Sequence, residues 1–88
     1  MLVLTHKRFD KQFARLPNKI KNNYFERVDI LRKDSRHPLL DIHPLHSPFE
    51  GGSLSINITG NYRAIFIQKD RDTILFTHIG THHQLFGT

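Results

Sequence analysis

Three apolar segments between Ser53 and Ile79 are separated by connections of only three and four residues. Links that short force neighbouring strands to pair antiparallel, because a parallel crossover needs a far longer connection. The first segment, Ser53-Leu54-Ser55-Ile56-Asn57-Ile58, alternates polar and apolar with the period of two expected of a strand with one buried face. Thr59-Gly60-Asn61 is a tight turn. Tyr62 to Gln68 is more evenly apolar, as a strand in the middle of a sheet should be. Lys69-Asp70-Arg71-Asp72 turns the chain again, and Thr73 to Ile79 makes the last strand.

Loop length fixes a register. A four-residue loop at 69–72 pairs Gln68 with Thr73 and sets Arg63 opposite His78. A three-residue loop at 59–61 pairs Ile58 with Tyr62 and Asn57 with Arg63. Asn57, Arg63 and His78 then lie side by side, since directly opposite residues share a face. Leu54, Ile56, Ile58, Tyr62, Ala64 and Phe66 take the other face. A two-residue turn at Gly60-Asn61 would put Ile58 beside Arg63 and mix the two faces, so the first register is preferred.

The first half supplies what covers the apolar face. Leu2-Val3-Leu4 reads as a short strand. From Lys7 to Leu16, Phe9, Phe13 and Leu16 fall at the i, i+4, i+7 spacing of a helix. Pro17 suits the first position of a second helix, which shows Ile20, Tyr24, Val28 and Leu31 on one side and fades at Lys33-Asp34-Ser35. Residues 36–52 hold three of the four prolines and two glycines. An irregular connection of that length in a small domain points to function. The element order is β-α-α-β-β-β, an α+β fold with two helices packed on one face of a mainly antiparallel sheet.

All 88 residues make one domain, 1–88, and a chain this short buries only roughly 60–65% of its unfolded surface. The seven Phe are enough for one thin core, and the lack of cysteine excludes disulfides, thiolate chemistry and Cys-ligated zinc. No segment has the apolar length of a membrane span. The start, Met1-Leu2-Val3-Leu4-Thr5-His6, lacks the leading charge and long apolar run of a signal peptide, so the expected location is the cytoplasm. Thirteen Lys and Arg against eight Asp and Glu give a net charge of +5, which suits RNA, DNA or an acidic protein segment as partner. Seven His add groups that both give and take protons near neutral pH.

Two stretches carry a resemblance. Pro38-Leu39-Leu40-Asp41-Ile42-His43-Pro44-Leu45-His46 and Ser55-Ile56-Asn57-Ile58-Thr59-Gly60-Asn61-Tyr62-Arg63-Ala64 resemble the central segments of YafQ-like toxins in the RelE/ParE superfamily. The ending Ile79-Gly80-Thr81-His82-His83-Gln84-Leu85-Phe86-Gly87 is similar to that branch's Gly-Thr-His-x-x-Leu-Phe/Tyr-Gly tail. The resemblance covers about the last 50 residues in sequence and the whole chain in element order.

It implies a RelE-like fold and the toxin of a type II toxin–antitoxin system. The implied activity is a metal-independent, cofactor-free endoribonuclease that cuts mRNA in the ribosomal A site and is silenced by a cognate acidic antitoxin. The ribose 2′-OH attacks the neighbouring phosphate and leaves a 2′,3′-cyclic phosphate and a free 5′-OH. That reaction needs a base for the 2′-OH, an acid for the 5′-oxygen and cations for the crowded phosphate.

On this resemblance His82 is the general acid and Arg63 the phosphate clamp, a role suited to a guanidinium. A strand arginine paired with a carboxylate is the plainer reading of Arg63. Phe86 matches the tail's aromatic and is placed to stack on a base or to cap the core. Asn61 stands where the branch usually has an acidic residue, and Asn57 where it has a histidine. Neither takes a proton, so both are left as RNA contacts and the base falls to His43 or His46. His78 stands where the branch carries an arginine and is a weaker cation at neutral pH. Two rivals remain. His78-x-x-x-His82-His83 has the composition of a metal site, without a helix or carboxylate to support the spacing. A ParE-like protein of the same fold would inhibit DNA gyrase without catalysis.

Overall fold

Leu2–Thr5 (β1), Thr73–Thr81 (β5), Tyr62–Asp70 (β4), Leu54–Asn57 (β3) and His43–Pro44 (β2) lie in that order across one sheet in the computed structural model, which describes residues 1–87. β1 runs parallel to β5, and every other pairing is antiparallel. The evenly apolar β4 lies inside the sheet, as its pattern predicts, with Ala64, Ile65, Phe66 and Ile67 all buried. The fifth strand, β2, was not expected. It forms where the irregular connection runs back along β3, pairing His43 with Ser55.

Lys7–Ala14 (α1) and Asn18–Lys33 (α2) pack on one face. The predicted apolar set of β3 and β4 meets Phe9, Tyr24, Val28 and Leu31 there. Phe76 is the hub. Its ring centroid lies 5.7 Å from Phe9, 5.2 Å from Tyr24 and 5.3 Å from Phe66, separations at which aromatic pairs attract. Burial there pushes the Tyr24 phenol well above its ordinary pKa. α1 stops before the predicted Leu16, because a residue preceding proline is kept out of the helical region. Pro17 is then the cap of α2 rather than its first helical residue.

The β4–β5 register differs from the one read from loop lengths. Asp70 pairs with Thr73, leaving only Arg71 and Asp72 in the turn, and the Asp72 amide donates to Asp70 Oδ1 at 2.9 Å. An aspartate that caps its own turn in this way tightens the hairpin. Lys69 on β4 and Thr77 on β5 are extra, unpaired residues, the signature of β-bulges. As a result Arg63 pairs with Gly80, and His78 with Ile65. The predicted direct Arg63–His78 pair is therefore wrong, although the two residues keep the same face. A regular strand would put Phe76 and His78 on one face. The extra Thr77 instead sends Phe76 into the helix-side core and His78 to the opposite side. At the other hairpin the prediction holds: Asn57 pairs with Arg63, and the Ile58 amide donates to Tyr62 O across the three-residue turn.

Beyond the predicted end at Ile79, β5 continues to Thr81 and runs into His82–Phe86 (α3). The tail motif is a capping device. The Gln84 amide donates to Thr81 Oγ1 at 3.1 Å, and the Thr81 amide returns a bond to Gln84 Oε1 at 2.9 Å. Gly87 ends the helix at a left-handed φ of 71°. A Cβ at Gly80 would meet Gln84 Oε1 at 2.8 Å, so a side chain there would displace the group that completes the capping box.

Phe76→Ala removes the hub of the aromatic core and is expected to cost about 3–5 kcal/mol of stability. The measurement is the urea midpoint, which should fall with an unchanged slope.

Candidate active site

Strand pairing lines up the polar candidates in rows on the face away from the helices. His43, Ser55, Ile65 and His78 form one row across four strands, and Asn57, Arg63 and Gly80 form the next. Beyond them, at the end of the sheet, the His82 amide donates to Asn61 O at 2.9 Å. This face is not open, as a polar face would be. Ser55 and Ile65 are buried beneath the returning connection, which sets Phe49 against His78.

A first cluster joins two histidines through two phenylalanines. His78 and Phe49 meet edge to face with centroids 5.3 Å apart, Phe49 and Phe86 are 5.8 Å apart, and Phe86 and His82 are 4.8 Å apart. α3 makes this possible by folding Phe86 back toward the connection. His82 and His83 are both exposed at its start. His78 is half-buried, with Nδ1 2.9 Å from Thr77 Oγ1. Desolvation by burial lowers its pKa below 6.5, and the positive charge of Arg8 and of His6 pushes the same way. Both effects favour the neutral imidazole, the form that can accept a proton. The sequence reading missed Phe49. The signal was present, in an aromatic residue set among the prolines and glycines of a solvent-side connection.

A second cluster gathers around Arg63. Its Nε donates to Ser55 Oγ, while Nη2 donates to Asp41 O at 2.6 Å and Ser55 O at 3.2 Å. Nη1 lies 3.5 Å from Asp41 Oδ2, and the side chain is only 15% exposed. The other carboxylate oxygen of Asp41 lies 3.0 Å from His43 Nε2. Asp41 follows the single 3₁₀ turn Pro38–Leu40 in a left-handed conformation, φ 44°, which turns its carbonyl toward Arg63. The plainer reading of Arg63, a strand arginine engaging a carboxylate, describes what it does here. Asp41 is the second residue the sequence reading overlooked. His43 lies three strands from His78, about 14 Å at the usual strand spacing. His46 is exposed in the connection, Asn57 is half-buried beside Arg63, and Asn61 is exposed in its turn.

A groove of about 700 Å³ follows α1 past Arg8, Lys11 and Arg15 to Gln84, a surface suited to a polyanion. Among the described residues, no three His, Asp or Glu side chains come together as metal ligands would. No helix among them is long and apolar enough to cross a membrane.

Neither a family model nor a curated protein matches this chain. Solved structures do. YafQ from E. coli strain BL21(DE3) superposes with a TM-score of 0.77 over 97% of each chain, at 21% identity. RelE in the RelB–RelE antitoxin–toxin complex from Methanococcus jannaschii gives 0.70 over 96% of this chain and 95% of that one, at 21% identity. A YoeB/ParE toxin from Agrobacterium tumefaciens gives 0.75 over 93% and 99%, at 13% identity. The fold is that of the RelE-like toxins. Within that fold, His78 and His82 flank the junction of β5 and α3.

The depressed pKa of His78 ties stability to pH. The unfolded chain binds a proton at this residue near pH 6.5 and the folded chain only below that. The stability His78 contributes is therefore complete above pH 6.5 and declines as pH falls through its folded pKa. Thermal melts from pH 7.5 to 5 should show a falling Tm in the wild type and a shallower fall in His78→Gln.

Proposed function

We propose that this protein is the toxin of a type II toxin–antitoxin pair, an endoribonuclease that cuts mRNA, in the ribosomal A site, by attack of the ribose 2′-OH. The observation that carries this reading is the joining of two histidines in one aromatic-walled cluster, one of them shifted toward its neutral form. His78 takes the proton of the 2′-OH as the oxygen bonds to phosphorus. The bond from phosphorus to the 5′-oxygen breaks, and His82 gives that oxygen a proton. The products are a 2′,3′-cyclic phosphate and a 5′-OH, and solvent returns both histidines to their starting states. These two side chains supply both proton transfers, so the chemistry asks for no metal. Phe86 and Phe49 offer faces on which a base stacks.

This assignment moves the base from His43 or His46 to His78. His43 lies on the edge strand β2, and His46 is exposed in the connection that leads to Phe49; both are assigned to flanking nucleotides rather than to the scissile ribose. Asn57 and Asn61 contact the RNA between the two ends. Arg63 acts through Asp41, whose carboxylate orients His43. The net charge of +5 and the α1 groove suit both RNA and a silencing antitoxin of acidic composition. Some RelE-like toxins are known in complexes with antitoxins, RelB–RelE among them. Co-expression with the product of an adjacent acidic reading frame should relieve growth arrest and yield a co-purifying complex. A neighbour that neither binds nor rescues removes the antitoxin from this account.

His82→Ala and His78→Ala should each lower mRNA cleavage by about 10²–10⁴-fold, the usual scale of acid–base catalysis. His83→Ala should change little, and the His43→Ala/His46→Ala double variant should fall between. Primer extension on message in a translating extract reads the cleavage, and circular dichroism checks folding. Wild-type protein that stops growth, leaves message whole and blocks DNA supercoiling would make this a ParE-like gyrase inhibitor instead.

A further inference from the structure

Transfer at phosphorus gathers negative charge on the phosphate oxygens, and a nearby cation stabilises it. Neither arginine position expected from the sequence meets that need. Arg63 has all three nitrogens engaged by Asp41 and Ser55, and position 78 carries a histidine shifted toward its neutral form. On the other side of His78, however, lies a pocket of about 450 Å³ whose lining includes His6, Arg8, Lys69, Phe49 and Glu50.

We propose that this pocket is a phosphate subsite for the RNA backbone beside the scissile bond, with the Arg8 guanidinium and the Lys69 ammonium as its cations. The inference rests on the ribonuclease reading above and extends it.

Three observations converge on it. Arg8 is anchored through Nε to Thr77 O at 3.2 Å, which directs the rest of its guanidinium without engaging it there. The two bulged residues of the β4–β5 ladder, Lys69 and Thr77, both line this pocket, and bulges occur preferentially beside active sites, where they re-aim side chains. His6, Arg8 and His78 all line this one space. Two permanent cations, Arg8 and Lys69, stand against the single carboxylate of Glu50. Phe49 is shared between the pocket and the histidine cluster. That wall favours RNA over an acidic peptide, because a nucleotide brings a base as well as a charge.

The test is binding of a short single-stranded RNA with 2′-O-methyl riboses, which cannot be cut, to the full-length protein across a range of salt. Each phosphate contact contributes about 0.7 to the slope of log K against log salt for single strands. Arg8→Ala and Lys69→Ala should each flatten the slope by about 0.7 and weaken binding roughly tenfold at low salt. Arg8→Lys should restore most of the slope, and Lys19→Ala, on α2, should leave it unchanged. Lys69 is exposed, so its variant carries the test should Arg8→Ala fail to fold. Slopes equal to wild type in the folded alanine variants overturn the subsite while leaving the ribonuclease standing. Variants that keep RNA affinity but lose an acidic peptide overturn it in favour of a protein-binding pocket. Wild-type protein that neither binds nor cuts RNA removes the ribonuclease reading itself.

Discussion

The ladder between β4 and β5 decides where everything else in this molecule can go. β4 buries apolar side chains on both of its faces, yet among the described residues only two helices are long enough to cover them. α1 and α2 take one face, around Phe76. Ile65 and Ile67 remain on the other and are buried too. Apolar area left in water there would forfeit stability that a small core cannot spare. The chain meets this demand with its least regular parts, the proline- and glycine-rich connection and the C-terminal turn of helix. The same pieces carry Phe49, Phe86 and His82. Covering the second face and building the candidate site are thus one structural act.

Thr77 makes that arrangement compatible with the core. Inward and outward residues alternate strictly along a regular strand, so Phe76 and His78 would compete for one side. One unpaired residue between them resets the phase. Phe76 then reaches the aromatic core, His78 reaches the opposite face, and the Thr77 carbonyl is left to anchor Arg8. The lowered pKa of His78 follows from this placement, because the residue is half-buried and faces cations.

The sequence made part of this legible. Alternation in β3 and the even apolarity of β4 gave the right faces, and the three-residue turn gave the right Asn57–Arg63 pair, because side-chain period and turn length are local properties. The β4–β5 register departs from the loop-length reading because bulges leave no local mark: Lys69 reads as part of the turn, and Thr77 looks like any other strand residue. Phe76 on the supposed polar face was the available warning, since a large aromatic there contradicts the segregation that justified the register. β2 was illegible for a similar reason. His43 and Pro44 become a strand only because β3 offers an unpaired edge. The tail motif was read for its histidine and aromatic, whereas Gly80, Thr81, Gln84 and Gly87 are explained by the helix they start and stop. Asp41 was passed over because its partners, Arg63 and His43, converge only in the folded chain.

The two arginines near the site show why residue type and location do not by themselves assign a role. Arg63 lies on the central strand in the middle of the candidate row, where a sequence reading places a phosphate clamp. Its surroundings supply acceptors on three sides, and a guanidinium held by a backbone carbonyl, a hydroxyl and a carboxylate has little left for a ligand. Releasing it would leave the Asp41 carbonyl and the buried Ser55 hydroxyl without their donor, a penalty that opposes recruitment to substrate. Arg8 has the opposite balance. It is exposed, tethered by one bond from Nε, and aimed beside a histidine suited to accept a proton. The tether limits the conformational freedom lost on binding, and the free end retains the planar donor pair that fits phosphate. A cation that is positioned but not satisfied is the one available for a phosphate, and in this fold that condition is met from the first turn of α1 rather than from the strands.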